Sequence, residues 1–233
     1  MIPIHDENPT RRVPIINYAL IVINVVVFVY ELTLTPPQLD RLITRWGMNS
    51  AAVLQALFHP ATAPLVTWET LITSQFLHAG WAHIIGNMLF LWVFGDNVED
   101  VLGHFGYVVF YFLSGIAAGI AQAIVLGPSL VPSIGASGAI AGVLGAYLLL
   151  YPLARISILF PLLILFWTIE IPAVVVIGWW FIQQFFYGIT ALSDAAASGI
   201  AFWAHIGGFI TGMVLIIPFI GRVHRRRPSV YYS

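Results

Sequence analysis

A serine and a histidine that could act as nucleophile and base each stand at the beginning of an apolar segment. Ser137 lies in a turn with Gly135 before it and Gly138 after it, and His205 precedes a pair of glycines. A serine hydroxyl is a weak nucleophile until an adjacent base accepts its proton, and a neutral histidine can accept that proton and return it to a leaving amine. The two flanking glycines permit a tight turn and close approach of a substrate backbone. The alternative interpretation is that Ser137 is only a small residue at a helix start.

Small residues predict that the two apolar segments lie side by side. Glycines recur four residues apart at Gly138 and Gly142 in the first segment, and at Gly208 and Gly212 in the second. This spacing lets helix backbones approach each other closely in a membrane. We therefore expect the serine hydroxyl to lie within reach of the histidine ring.

A second polar group precedes these segments and contains His83 and Asn87. The two residues are four apart and therefore share one face of a helix. The Asn87 amide, and His83 with it, could donate hydrogen bonds to an oxyanion that develops on an attacked carbonyl, and His78 is expected to support them. In the alternative interpretation, Asn87 only bonds to a neighbouring helix.

The same histidines could in principle bind a metal ion together with His205. No carboxylate in the apolar segments adjoins His78 or His83, however, and a metal site of histidines alone is the less favoured interpretation. We therefore expect no metal site.

No acidic residue is placed in the sequence to orient His205. Asp194 is the nearest, and we interpret it as a solvated residue of the loop from Ala191 to Gly199, which is predicted to be a movable cover over the site. Two tryptophans and two glutamines of the fifth apolar segment are interpreted as packing and interfacial anchors. These four residues are Trp179, Trp180, Gln183 and Gln184. The sequence thus favours a dyad of serine and histidine over a triad.

Composition places these residues inside a membrane. Of the 233 residues, 60% are hydrophobic and 8% are charged, against about 45–50% and about 25% in ordinary soluble domains. The chain has no cysteine, which excludes disulfides and thiolate nucleophiles. We expect the lipid bilayer as its surroundings and no nucleic-acid partner.

Six apolar stretches are long enough, or nearly so, to cross a bilayer, which takes about 20 residues. They run over 15–34, 81–94, 105–126, 137–151, 171–187 and 203–220. The second and the fourth are short, so their ends are expected to rest on protein or water. Arginines precede the first stretch and follow the last, which predicts cytoplasmic termini and an even number of crossings.

The connecting segments complete the predicted organisation. Residues 36–78 are predicted to form a long interfacial loop folded against the bundle. Residues 155–170 fit either a short cytoplasmic β-hairpin or a segment along the interface. Because no internal repeat is found, we expect one membrane domain. Its predicted limits are 13–221, with a cytoplasmic segment over 1–12 and a basic cytoplasmic tail over 222–233.

With a cytoplasmic start, the second, fourth and sixth crossings all begin at the external face. Each carries its unusual polar residues near that beginning, with His83 on the second, Ser137 on the fourth and His205 on the sixth. The three regions are therefore predicted to converge on one side of the membrane. A transporter would instead distribute polar groups across the depth or hold charges inside the bundle.

These motifs together resemble those of the rhomboid family of intramembrane serine proteases. Gly135-Ala136-Ser137-Gly138 is similar to the nucleophile motif of that family, and Ala204-His205-Ile206-Gly207-Gly208 is similar to its histidine motif. The segment from His78 to Asn87 resembles its His-x4-His-x3-Asn element. The three motifs occur in the family order, and the resemblance extends over about the whole chain.

The resemblance implies an all-α membrane protein with six transmembrane helices, which cleaves transmembrane proteins near the external face. It implies that the reaction uses a Ser137–His205 dyad and needs no cofactor. It also implies that the Ser137 backbone N–H, His83 and Asn87 form the oxyanion site. Some members stack an aromatic residue, four positions after the nucleophile, on the histidine, and this chain has Ala141 there. We expect a prokaryotic plasma membrane. The alternatives are an inactive rhomboid-like protein that binds membrane helices and, less favoured, a small transporter.

Overall fold

The computed structural model describes residues 2–162, 165–193 and 200–224. Its elements, in chain order, are β1 (Ile2–Asp6), α1 (Ile15–Leu32), α2 (Pro36–Trp46), α3 (Ser50–Phe58), α4 (Leu65–Thr73), α5 (Trp81–Leu102), α6 (His104–Leu126), α7 (Ser137–Leu150), β2 (Arg155–Leu162), β3 (Leu165–Pro172), α8 (Ala173–Ser193), α9 (Phe202–Ile216) and α10 (Ile220–His224). Short 3₁₀ turns over Pro60–Thr62, Ser74–Phe76 and Ile217–Phe219 join some of them.

Several helices are suited to lipid by length and composition. Among the described residues, four candidate spans are long and apolar enough to cross a membrane, and they contain α1, α6, α8 and α9. The stretch Leu65–Phe76 and α5, bent by 85° relative to each other, together form a fifth candidate, and α7 is a shorter apolar helix of 14 residues. Valines such as Val22 and Val26 on α1 are exposed, as lipid contact requires. The chain is a multi-pass helical membrane protein, as its composition predicts.

The centre of the bundle is α7, and small residues explain why it fits there. Every residue from Gly138 to Tyr147 is buried. A Cβ atom on Gly142 would stand 2.5 Å from Ser114 Cβ on α6, and one on Gly212 of α9 would collide with the Gly142 carbonyl oxygen. Such contacts leave no room for a side chain, so the glycine spacing sets the distance between these helices. The predicted close approach of the two glycine-rich segments is confirmed.

The second apolar segment continues further than its sequence predicts. The apolar stretch ends at Phe94, yet α5 runs to Leu102. Glu99 is buried on α5 and accepts hydrogen bonds from the backbone N–H groups of Ile16 (3.0 Å) and Asn17 (2.7 Å) and from His104 Nδ1 (2.5 Å). The carboxylate thereby caps the first turn of α1, whose own N-terminal N–H groups have no helical partner. The polar end of α5 therefore stays helical, since Glu99 forms hydrogen bonds with the neighbouring helix α1.

A small sheet corrects the expectation of an all-α protein. β2 and β3 form an antiparallel hairpin, one of the two alternatives for residues 155–170, and β1 adds to β2 with Asp6 opposite Ile156. The segment over 1–12 therefore contributes a strand to this sheet. Buried Asp6 accepts hydrogen bonds from Tyr147 of α7 and Asn97 of α5, which fastens the sheet to the bundle. Burial raises the pKa of the Asp6 carboxyl.

The segment between α1 and α5 is largely helical, where the sequence predicted a long interfacial loop. α2 begins with a capping box of Thr35 and Gln38, and Pro36 stands at its first position. α3 and α4 pack on α6 through a small apolar cluster of Met48, Val53, Leu71 and Ala123. Folding against the bundle occurs as expected, because these helices bury their apolar faces there.

Candidate active site

Ser137 and His205 lie in direct contact. The distance between Ser137 Oγ and His205 Nε2 is 2.8 Å, within hydrogen-bond range. Ser137 is the first residue of α7, and His205 lies in the first turn of α9. Residues 68 positions apart in the chain thus meet at the same end of two adjacent helices. This is the geometry in which a histidine can accept a serine proton.

The close packing of α7 on α9 brings the pair together. A Cβ atom on Gly208 would collide with the Gly138 carbonyl oxygen, and one on Gly138 would stand 2.7 Å from Ala118 Cβ of α6. The backbone N–H of Ala204 donates to the side-chain oxygen of buried Gln122, at 3.0 Å, which fixes the start of α9 against α6. Gly138 therefore has the packing role that the sequence assigned to it.

Gly135 is required for the turn that presents the serine. Its φ is 121°, a conformation that residues with a side chain rarely adopt. Its N–H donates to the Ser74 carbonyl oxygen at 2.8 Å, which ties the turn to the end of α4. A Cβ atom here would stand 2.6 Å from His83 Nε2 and 3.7 Å from Asn87 Nδ2. The glycine thus lets the turn approach both polar residues of α5.

Hydrogen bonds arrange His83 and Asn87 as donors toward that turn, and His78 accepts from Asn87. His83 Nδ1 accepts from the Ala79 N–H at 3.4 Å, which leaves Nε2–H free to donate. His78 is buried, its Nδ1 lies 3.3 Å from the Phe76 carbonyl oxygen, and its Nε2 lies 3.0 Å from Asn87 Nδ2. The Asn87 amide nitrogen carries two hydrogens, so it retains one after donating to His78. His78 therefore holds Asn87 in place.

The candidate site residues line a cavity of about 600 Å³. Ser137, His205, His83 and Asn87 all face it, so the three separate regions meet at one cavity. That this cavity lies at the external face stays a prediction. Among the described residues that line it, none is Asp, Glu, Lys or Arg. A Cβ added to Gly86 would meet no atom within 4 Å, so this part of the wall is open. Such a cavity suits an apolar, uncharged chain better than a charged ligand.

Two residues of α8 contact His205, although the sequence assigned them to packing. Gln184 Oε1 lies 2.7 Å from His205 Nδ1, and the Trp180 ring centroid lies 5.8 Å from that of the imidazole. Phe202 adds an edge contact at 6.5 Å. The signal was present in the spacing, since residues 180 and 184 share a helix face. The neighbour of His205 Nδ1 is thus a neutral acceptor and not an acid.

Other expectations at the site have different outcomes. Asp194 and most of the 191–199 loop lie outside the described residues, so the movable cover stays a prediction.

The rings of His78 and His83 pack edge to face, with centroids 5.0 Å apart. Within the described part of the chain, no group of three or more His, Asp or Glu side chains is arranged to hold a metal ion.

Comparison with known proteins agrees with this architecture. Residues 65–222 match the family model described as the Rhomboid domain. Rhomboid protease GluP of Bacillus subtilis (strain 168) is 44% identical over 81 residues, which are 35% of this chain and 15% of that protein. RHOMBOID-like protein 4 of Arabidopsis thaliana is 32% identical over 161 residues, which are 67% of this chain and 36% of the relative.

A third relative is Rhomboid-like protein 11, chloroplastic, of Arabidopsis thaliana, which is 40% identical over 75 residues, or 32% of this chain and 26% of the relative. The matches thus cover well under half the length of these three proteins. The molecule is a multi-pass helical membrane protein with a serine and a histidine in contact at a cavity. Since the family model covers most of its length, the chain belongs to the rhomboid family.

Proposed function

We propose that the chain is an active intramembrane serine endopeptidase that cleaves transmembrane proteins. The observation that carries the proposal is the 2.8 Å contact between Ser137 Oγ and His205 Nε2 inside a cavity of uncharged lining. Two Bacillus subtilis relatives are named as a rhomboid protease and a putative rhomboid protease, which also supports it.

In the proposed reaction, Ser137 Oγ attacks the carbonyl carbon of the substrate peptide while its proton passes to His205 Nε2. The tetrahedral intermediate collapses, the C–N bond breaks, and the protonated histidine gives that proton to the leaving amine. Water then attacks the acyl ester, with His205 accepting its proton and returning it to Ser137. The cycle balances with one water consumed and needs no metal or cofactor.

Three donors are proposed to stabilise the negatively charged oxygen of the intermediate. They are the backbone N–H of Ser137, the His83 Nε2–H and the unbonded hydrogen of the Asn87 amide. His83 and Asn87 approach the same turn from α5, and His78 occupies the other Asn87 hydrogen. Donors that are fixed before the reaction stabilise the charge without a free-energy cost of reorientation.

The membrane arrangement is proposed as six crossings by α1, α5, α6, α7, α8 and α9, with both termini in the cytoplasm and the cavity at the external face. Arg11 and Arg12 before α1 support a cytoplasmic start. The Bacillus subtilis relatives support a prokaryotic plasma membrane. Residues 13–221 are the proposed membrane domain, flanked by cytoplasmic segments over 1–12 and 222–233.

The decisive experiment measures cleavage of single-span proteins by purified enzyme and by Ser137→Ala and His205→Ala variants. A serine-directed phosphonate is applied in parallel, and mass spectrometry locates the label. We expect label on Ser137, and loss of cleavage in both variants by about 10⁶-fold, the usual cost of removing a nucleophile or its base. Cleavage that persists in folded Ser137→Ala would reject the proposal.

The topology has its own test, because the chain contains no cysteine. Leu130 and Leu153 are both strongly exposed leucines, 82% and 76%, and they flank opposite ends of α7. An impermeant thiol reagent added to intact cells should label Leu130→Cys and spare Leu153→Cys. The reverse pattern would place the cavity at the cytoplasmic face.

The alternative from another class is an inactive family member that binds membrane helices. It shares the cavity and predicts no phosphonate label on Ser137. The transporter alternative predicts charged groups along a pathway, and the cavity lining described above has none.

A further inference from the structure

The orientation of His205 needs an explanation in this chain. The position four residues after the serine is Ala141, which is buried in α7 and has no ring to place against the imidazole. No carboxylate side chain within the described residues is hydrogen-bonded to His205. A histidine can accept a proton at Nε2 only if its own hydrogen sits on Nδ1, because the neutral ring carries a single N–H. Some neighbour of Nδ1 must therefore select that tautomer.

Gln184 of α8 is that neighbour. Its side-chain oxygen lies 2.7 Å from His205 Nδ1, on the opposite side of the ring from Ser137. An amide oxygen can accept and cannot donate, so this contact requires the hydrogen on Nδ1. The lone pair at Nε2 is then left for the serine hydroxyl. The glutamine is buried, at 9% exposure, so water competes little for the same bond.

Trp180 restrains the same ring from one helical turn away. Its indole lies against the imidazole, with the two ring centroids 5.8 Å apart and the planes inclined by 37°. Trp180 also packs on Phe209 of α9, at 6.3 Å between centroids. Trp180 lines the cavity, whereas Gln184 lies behind the histidine and outside the cavity lining. Gln184 can therefore act on the reaction through His205 alone.

We propose that Gln184 is a positioning residue that holds His205 as the Nδ1–H tautomer, with Trp180 restraining the ring, so that α8 supplies the orientation that an acid supplies in a triad. The proposal rests on the proposed peptidase function. A neutral amide selects the tautomer but contributes no negative charge to stabilise the imidazolium, which distinguishes it from a carboxylate. Gln184 therefore acts on the fraction of His205 that is in the tautomer able to accept the proton of Ser137.

The test compares Gln184→Leu, Gln184→Glu and the matched control Gln183→Leu. The control makes the same substitution at the adjacent position of α8. For each purified variant we measure the rate constant of Ser137 labelling by a serine-directed phosphonate, and kcat and KM for a single-span substrate. The labelling rate reports activation of the nucleophile and does not depend on substrate binding.

Gln184→Leu should lower both kcat and the labelling rate by about 10- to 100-fold, the effect of one lost buried hydrogen bond, with KM nearly unchanged. Gln184→Glu should recover most of that loss, because an ionised carboxylate still accepts from Nδ1. Gln183→Leu should label at the wild-type rate. Trp180→Ala should cost about 2- to 10-fold, and Trp180→Phe less, because it keeps an aromatic ring.

The proposal is overturned if Gln184→Leu labels as fast as Gln183→Leu, or if Gln184→Glu is as slow as Gln184→Leu. A loss of thermal stability with an unchanged labelling rate of the folded enzyme would likewise assign Gln184 to packing. If Gln184→Leu does not fold, Gln184→Asn replaces it, since its amide is one carbon too short to reach Nδ1. Failure of the peptidase function itself is distinguishable, because wild type would then not be labelled at Ser137.

Discussion

Two of the walls that line the cavity, α7 and α8, are built in different ways. On one side, α7 is buried along its length and its glycines bring its backbone against α6 and α9. On the other side, α8 is mostly exposed. Of the residues in its candidate span 17% are buried, against 39% in the span that contains α6. The first wall carries the serine, and the second carries Trp180 and Gln184, the two side chains of α8 that contact the imidazole.

The contact between α7 and α9 sets the positions of Ser137 and His205, whereas α8 sets the orientation of the His205 ring. Backbone contacts between glycines have almost no freedom, because a shift of half an ångström in a packed interior already costs contact energy. A side-chain hydrogen bond such as that of Gln184 adjusts through its rotamers. We infer that substitutions in the α7–α9 contact affect folding, whereas substitutions on α8 affect the rate.

The largest effect should come from adding a side chain between α7 and α9. In Gly208→Val the new Cβ collides with the Gly138 carbonyl oxygen, so the helices must separate and the 2.8 Å contact of Ser137 with His205 is lost. Overpacking of this kind costs about 1–3 kcal/mol or more. We expect strongly lowered thermal stability and no detectable cleavage.

Gly178→Val is the matched control on α8, where an added Cβ meets no atom within 4 Å. It should remain folded and active in the same assay. If the two valine variants behaved alike, the distinction between the walls would be wrong.

The next effect concerns the donors of α5. Asn87→Ala removes a proposed oxyanion donor and should lower kcat by about 10²–10³-fold, while phosphonate still labels Ser137. If Asn87 only joined helices, the loss would appear as about 1–2 kcal/mol of stability with turnover nearly normal. Measuring kcat and thermal unfolding on the same preparation separates the two results. Turnover near the wild-type value would move Asn87 from the site to the scaffold.

A smaller effect is expected at the end of the bundle away from the cavity. Glu99→Gln keeps the size of the side chain but has one acceptor oxygen where the carboxyl group has two, so the backbone N–H of either Ile16 or Asn17 loses its acceptor. A buried donor left without a partner costs about 1–3 kcal/mol, so unfolding should be easier by about that amount. Cleavage per folded molecule should be unchanged, since Glu99 is remote from the Ser137–His205 pair. A lower kcat of the folded variant would mean that the contacts of Glu99 also affect the Ser137–His205 pair.

Much of the site could be predicted from the sequence, because short motifs fix local chemistry. Ser137, His205, His83 and Asn87 were found from spacing and residue type, and the structure brings them to one cavity. Gln184 was missed because its spacing from Trp180 shows only that the two residues share a helix face. That this face lies against His205 depends on how α8 packs on α9, which no local pattern encodes.

The fold was less predictable where pairing is distant or charges are buried. β1 pairs with a strand about 150 residues away, for example Asp6 with Ile156, and five residues carry no signal of that partner. The apolar stretch of α5 stops at Phe94, and the sequence of α5 alone does not reveal that Glu99 accepts from the N–H groups at the start of α1. In both places a contact between remote segments decides the structure.

The smallest predicted effect tests how the far end of α7 is fastened, at Asp6. Burial raises the pKa of this carboxyl, so the folded state binds its proton more tightly than the unfolded state does. The stabilising contribution of Asp6 is therefore full below the unfolded pKa of about 3.9 and is lost as the pH rises through the folded value. Asp6→Asn removes this dependence while keeping an acceptor for Tyr147 and Asn97. Thermal unfolding of both proteins at about pH 4 and about pH 8 should show wild type gaining on the variant at the lower pH. A difference in Tm that is constant with pH, or that widens in favour of wild type at the higher pH, would mean that Asp6 is ionised in the fold and fastens α7 by its charge.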